Sequence, residues 1–318
     1  LDDEQSAEYV LPIKENLLDV GYFIHSLKPL LDSIFGGEKT VILYNSKDIR
    51  HRLQELSVEF SAPFEDVSLM KYLAEGTGNS DNLDFCLNYY SLPIQNRAYG
   101  IYALYNIFGD TLDEEEKKLY RDIELPLSVV LFDMEKVGVW VDGNILNEFS
   151  LKYSTELKGL TERIYQLAGE KFNINSPVQL GKILFEKLKI GDGGTQKSKV
   201  KKNYSTTAEI LEKYAEDYEI VRLLLRYRQI QKLNSTYVEG FKPLIAEGKV
   251  HTTYNQMNTA TGRLSSANPN LQNIPVRNEE GKELRKIFVA GPGNVLVDAD
   301  YSQIELRLLA HFSGCKEL

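Results

Sequence analysis

From Asn144 onward, apolar residues recur at helical spacing for about a hundred residues, most plainly from Ile145 to Leu167. After Lys249 the texture changes to short strand-like runs and glycine turns, and before Asn144 it is mixed α/β. Three textures in 318 residues, with no internal repeat, confine the chain to a multidomain fold of α/β plus α+β type. Within the opening, EYVLPI (8–13) and KTVILY (39–44) read as strands, with the helical stretch GYFIHSLKPLLDSIF between them and SKDIRHRLQELS after. That first unit ends near Asn106–Asp110. Thr111 with Glu114 has capping-box spacing and is expected to open a long helix through Met134, and GVWVDG is a short strand ending in a turn.

Further along, Ser176-Pro177-Val178-Gln179 combines an N-cap, proline at the first helical position and a capping-box glutamine. The segment GDGGTQKSKVKKNYST has no apolar period and reads as a basic loop or tip, after which Thr206 and Glu209 suggest another capped helix. A longer helix carries Ile220, Leu223, Leu224 and Tyr227 on one face and Arg222 and Arg226, four apart, on another.

Charge is distributed unevenly. The formal net charge is −9, yet residues 1–125 hold 11 Lys and Arg against 23 Asp and Glu, while residues 126–318 hold 26 against 23. Residues 182–202 carry seven lysines against Glu186 and Asp192. An acidic first part joined to a locally basic one suits an anionic ligand better than the average implies. No apolar run approaches the roughly 18 residues of a membrane span, so no membrane partner is expected. The opening LDDEQSAEYV lacks the features of a signal peptide. Cys86 and Cys315 have no zinc-type spacing and cannot build a disulfide framework, so a cytoplasmic setting is expected.

Two stretches carry chemistry. VLVDAD ends a predicted strand and puts Asp298 and Asp300 on one face, since side chains alternate with period two. Ser302 with Glu305 then marks a predicted helix start. A carboxylate in that position can hold a hard cation against a phosphate, or it can merely finish an exposed strand. The second stretch, TATGRLSSANPNLQNIPVR, offers Arg263, Asn270, Gln272, Asn273 and Arg277 among turns. Such donors match the acceptors every base pair shows in the minor groove, although a polar loop bonded to itself has the same composition.

TATGRLSSANPNLQNIPVR followed by DYSQIELRLLAH resembles the family A DNA polymerases, of the bacterial polymerase I type, the second string being that family's motif A. FNINSPVQLGKILFEKL, YSTTAEILEKYA, YRQIQKLNSTYVEG and GKVHTTYNQ resemble its thumb. The resemblance implies a partial 3′–5′ exonuclease-like domain of RNase H-like fold over 1–112, a mainly helical thumb with its base over 113–250, and the beginning of the palm sheet over 251–318. It implies that Asp300, with the Tyr301 carbonyl, binds two catalytic Mg2+ ions, that Glu305 is the steric gate against ribose, and that Arg263 reaches the minor groove at the primer terminus. Arg277 falls near the nucleotide, and Asn270, Gln272 and Asn273 among the duplex contacts. In the thumb, Asn175, Ser176, Gln179, Lys182, Lys201, Lys202, Tyr204, Ser205, Ser235 and Thr236 match positions that grip phosphates, with Asn203 where the family usually has glycine.

The implied activity is template-directed DNA synthesis from dNTPs on a primer-template, by a monomeric, cytoplasmic, nucleoid-associated enzyme. The sequence stops just after motif A, so it is expected to be a fragment that is inactive alone, without the fingers helix and the later carboxylate. Of the exonuclease signature, the first motif would precede Leu1, Asn45 or Asp48 lies near the second, and at the third Tyr99 is followed by Ala103 where an aspartate is needed. A degenerate proofreading domain is expected. The rival readings are a non-catalytic duplex-binding module and a 3′–5′ exonuclease.

Overall fold

A computed structural model describes residues 22–77, 82–191, 204–276 and 279–315. The predicted strand at 8–13, most of the lysine-rich segment with Lys201 and Lys202, and Arg277 lie outside the described residues. By packing, the chain forms two compact units, Leu1–Gly138 with Val250–Ile274 and Val139–Lys249 with Pro275–Leu318.

In the first unit, α1 (Lys28–Phe35) leads to β1 (Val41–Leu43), then α2 (Ser46–Glu55) crosses to β2 (Phe64–Asp66). The two strands pair in parallel, with Val41 opposite Phe64 and Leu43 opposite Asp66. Asp66 then caps α3 (Val67–Glu75), which precedes α4 (Leu83–Tyr89) and α5 (Arg97–Thr111). The core joins Val67, Leu69, Cys86, Leu87, Leu104 and Phe108. Each fully buried side chain of Leu or Phe size contributes about 1.5–3 kcal/mol relative to exposure. The capping box is formed by Asp113 and Glu116, not by Thr111 and Glu114. Thr111 instead closes α5 and donates its hydroxyl to the Ile107 carbonyl at 2.7 Å, so it has no role left at the next helix start. The expected long helix is α6 (Glu114–Leu119), a π-turn over Tyr120–Glu124, and α7 (Leu125–Val137).

The second unit opens with β3 (Val139–Trp140), after which Asp142 caps α8 (Gly143–Ala168) through the amides of Asn144 and Ile145. This 26-residue helix is about 39 Å long at 1.5 Å per residue. Next come α9 (Pro177–Gly181) with a π-turn over Lys182–Lys187, α10 (Ala208–Glu212), and α11 (Glu219–Lys232) with a π-turn over Leu233–Val238. Ile220, Leu224 and Tyr227 of α11 are buried as the periodicity predicts, beside Ile164, Ala168, Leu180, Leu184 and Leu211. Strands β4 (Ile245–Ala246) and β5 (Lys249–Val250) complete a three-stranded sheet in the order β3-β5-β4. Gly248 at φ +79 and Gly291 lie against the Trp140 ring, where an added Cβ would clash.

Back in the first unit, β6 (Thr253–Asn255) and β7 (Ser265–Ala267) form an antiparallel hairpin. In the second, α12 (Glu279–Leu284) is followed by residues 295–300, which form no strand. Their β-propensity is not matched by a partner ladder among the described residues, and Val295 and Val297 are 81% and 85% exposed. The last helix, α13 (Ile304–Ser313), starts from Gln303 in the left-handed region, without a side-chain cap from Ser302. The architecture is thus helix-rich with small sheets.

Candidate nucleic-acid interface

Motif A leaves Asp300, Tyr301 and Glu305 all exposed, with Glu305 in the first turn of α13. Arg307 donates its Nε–H to the Ser302 carbonyl at 2.8 Å and so fixes the turn between Asp300 and the helix. The Asp300 carboxylate and the Tyr301 carbonyl are hard oxygen donors. Mg2+ is commonly held by one or two carboxylates, with water and substrate phosphate completing its octahedron. These two donors therefore fit Mg2+ by chemistry, although no group of three or more His, Cys, Asp or Glu side chains is arranged for a metal among the described residues.

The polar loop between β7 and Ile274 is built around Asn270. Its Oδ1 accepts the amides of Gln272 at 3.0 Å and Asn273 at 3.2 Å, and the Ser266 hydroxyl at 3.3 Å. Ser266, itself buried, also accepts the Leu271 amide at 3.1 Å, and Gln272 donates Nε2–H to the Leu264 carbonyl at 3.3 Å. The loop thus does bond to itself, with the Asn270 oxygen taking three of the bonds. With its oxygen so engaged, the group left to this exposed side chain is an N–H donor, the polarity that minor-groove acceptors require. Arg263 is exposed at the turn before β7, and its carbonyl accepts the Thr259 hydroxyl at 2.6 Å.

Anchors outside the motif hold this hairpin. Thr252 donates its hydroxyl to the carbonyls of Ala267 and Pro269. Glu135 of α7, with a side chain only 5% exposed, accepts the Tyr254 amide at 2.6 Å, pairs with Lys47, and meets His51 Nε2 at 2.6 Å. Lys47 also donates to the Tyr254 carbonyl at 2.7 Å. Gln256 donates to the Glu124 carbonyl at 2.8 Å, and the Tyr72 hydroxyl donates to the Thr259 carbonyl at 2.7 Å. Motif spacing does not single out Lys47, His51, Tyr72, Glu124 or Glu135. Glu135 does leave a signal in the sequence, a carboxylate four residues after buried Leu131 and seven after buried Ser128, on the helix face that must lose water.

In the second unit, Asn175, Ser176 and Gln179 share one turn. Ser176 Oγ accepts the Gln179 amide at 3.4 Å, but Gln179 Oε1 takes the Asn173 amide at 2.8 Å instead of the Ser176 amide, so the expected box is only half made. Asn175 donates Nδ2–H to the Tyr227 hydroxyl at 3.3 Å. Lys182 is exposed one turn on, and Tyr204 packs against Gly181 and the Phe185 ring, centroids 5.1 Å apart, with Ser205 half-buried beside it. Thr206 does not cap α10. Its carbonyl and hydroxyl accept from the Arg228 guanidinium, and Thr207 takes the N-cap position. Burial lowers the Arg228 pKa. Ser235 and Thr236 are exposed on the π-turn after α11, where the Ser235 hydroxyl donates to the Gln231 carbonyl at 2.7 Å.

Of the residues expected from the sequence at exonuclease positions, Asn45 donates Nδ2–H to Asp48 at 2.7 Å. Asp66 is buried and accepts the amides of Asn45, Ser46 and Ser68, so that carboxylate braces the strand ends. Tyr99 is 42% exposed on α5, and Ala103 lies one turn along the same helix.

The sequence profile of DNA polymerase family A matches residues 143–318. The chain is 42% identical over 308 residues to DNA polymerase I of Caldicellulosiruptor bescii, covering 93% of this chain and 36% of that protein. With DNA polymerase I of Lactococcus lactis subsp. lactis it shares 51% identity over 213 residues, 67% of this chain and 24% of the relative. The fold is similar to the POL domain of Pol1 from M. smegmatis, solved in complex with DNA primer-template and dNTP. That likeness has a TM-score of 0.77 and 32% identity, and covers 90% of this chain and 52% of the other. This chain belongs to DNA polymerase family A. It spans about a third or less of the length of these two curated relatives.

Proposed function

We propose that the protein carrying these residues is a template-directed DNA polymerase, which extends a primer 3′-hydroxyl with nucleotides from dNTPs and releases pyrophosphate. The observation that carries this reading is the family match over residues 143–318, which runs through both Arg263 and Asp300. Asp300 with the Tyr301 carbonyl would hold part of the shell of two Mg2+ ions, which when bound would supply Lewis acidity at the attacking hydroxyl and at the leaving pyrophosphate. Arg263, Asn270, Gln272 and Asn273 donate to the minor groove without reading sequence. Arg277 is assigned a role in binding the nucleotide, and Glu305 the role of excluding a ribose 2′-hydroxyl. Asn175, Ser176, Gln179, Lys182, Lys201, Lys202, Tyr204, Ser205, Ser235 and Thr236 hold backbone phosphates, which positions the duplex.

On this reading, residues 1–112 are a degenerate RNase H-like exonuclease domain, 113–250 the thumb and its base, and 251–318 the first part of the palm. The enzyme works as a cytoplasmic, nucleoid-associated monomer. Among the described residues no helix is long and apolar enough to cross a membrane. The test is Asp300→Asn in the full-length protein. Nucleotide addition should fall well beyond tenfold while duplex affinity stays within about twofold, with Asp298→Asn as the control that changes little. A loss below about tenfold, or roughly 1.4 kcal/mol in barrier, removes Asp300 from the reaction.

A further inference from the structure

The hairpin that carries Arg263 packs with the first 138 residues of the chain. Its connections run in series. The Tyr72 hydroxyl, on α3, donates to the Thr259 carbonyl at 2.7 Å, and the Thr259 hydroxyl donates to the Arg263 carbonyl at 2.6 Å. Tyr72 is itself 7% exposed within the α3 core, so its hydroxyl is presented from a fixed ring. One strand earlier, buried Glu135 accepts the Tyr254 amide, and Lys47 donates to the Tyr254 carbonyl. Gln256 is tied to Glu124, and Met257 packs against the same core as Leu104 and Phe108. Four hairpin residues within Tyr254–Thr259 are therefore anchored to elements of the first unit, and the last anchor passes directly to the Arg263 backbone.

We propose that Tyr72 is a positioning residue for duplex binding: through Thr259 it sets the backbone of the turn that presents Arg263, which makes the exonuclease-like unit a bracket for the minor-groove loop. This rests on the reading of Arg263 as a duplex contact. A side chain that must meet a base edge gains from a backbone fixed in advance, since the ordering cost is met before binding. Tyr72→Phe removes one hydroxyl and keeps the ring. In the full-length protein it should weaken the Kd for a fluorescent primed DNA duplex about three- to tenfold, the range one neutral hydrogen bond supports. Thr259→Val should reproduce the effect and serves if Tyr72→Phe folds poorly.

The deciding measurement is the cycle with Arg263→Ala. If Tyr72 acts through Arg263, its substitution has no further effect once the guanidinium is gone. Equal weakening in both backgrounds, or none in either with Arg263→Ala itself impaired, overturns the proposal. Should Arg263→Ala bind as tightly as wild type, the duplex-contact reading fails by itself. Amide exchange then decides the positioning role. Faster exchange across 259–264, with α5 unchanged, keeps the Tyr72 relay, and unchanged exchange in that loop ends it.

Discussion

Glu305 shows how much one residue can be asked to do. It stands in the first turn of α13, exposed, and the Ser302 cap that its spacing suggests is not made. Glu305→Ala is expected to move Tm by only a degree or two, within the usual ±0.5 kcal/mol of surface changes. Discrimination between dNTP and rNTP should meanwhile fall by about tenfold or more, because a steric exclusion disappears. Unchanged kcat/KM ratios for the two sugars would end the gate assignment. Asp300 and Glu305 can be singled out from the sequence as candidates because each sits inside a contiguous string. Glu135 is not so placed, since its partners His51 and Tyr254 lie 84 and 119 residues away. Tyr72 is hidden for the same reason, with 187 residues between it and Thr259.

Among elements, the second unit is tied by a three-helix clamp. Arg226 of α11 donates Nε–H to Glu156 of α8 at 2.7 Å and pairs with Glu280 of α12, which also accepts Gln229 Nε2–H at 3.1 Å. The hydrogen bond from Arg226 holds the Glu280 carboxyl below the usual carboxylate range, against a smaller opposing push from burial. A lowered folded-state pKa means stability that is present above the unfolded value, near 4.3, and lost as pH falls below it. Arg226→Met should therefore cost about 1–2 kcal/mol at pH 7, discounted because the pair is partly exposed, and less at pH 3, as the carboxyl approaches its lowered folded-state pKa. An equal Tm loss at both pH values would show that packing, not the ion pair, is what the substitution removes. Long periodic helices such as α8 and α11 are readable because burial enforces their period. Caps are less so: Thr111 and Asp113 both have a glutamate three residues on, and only the fold decides which side chain is already engaged. Residues 295–300 show the limit for strands, whose ladder depends on a partner that local sequence does not encode.

At the scale of the molecule, the acidic 1–125 and the lysine-rich 182–202 make net charge a poor guide to partners. Replacing Lys197, Lys199, Lys201 and Lys202 together by alanine should flatten the dependence of log affinity on log salt, by about 0.9 for each phosphate that is no longer neutralised. An unchanged slope in duplex-binding titrations would mean that these lysines face only water.

The same molecule sets a problem of timing. Its first compact unit is written in two instalments, Leu1–Gly138 and Val250–Ile274, with Val139–Lys249 between them. A ribosome adding roughly 5–20 residues per second needs about 6–22 s to cross that interval. For that time Glu135 has Lys47 and His51 within reach but no Tyr254 amide, and Tyr72 has no Thr259 carbonyl. The nascent chain must therefore keep an unfinished surface open until the hairpin emerges and closes it.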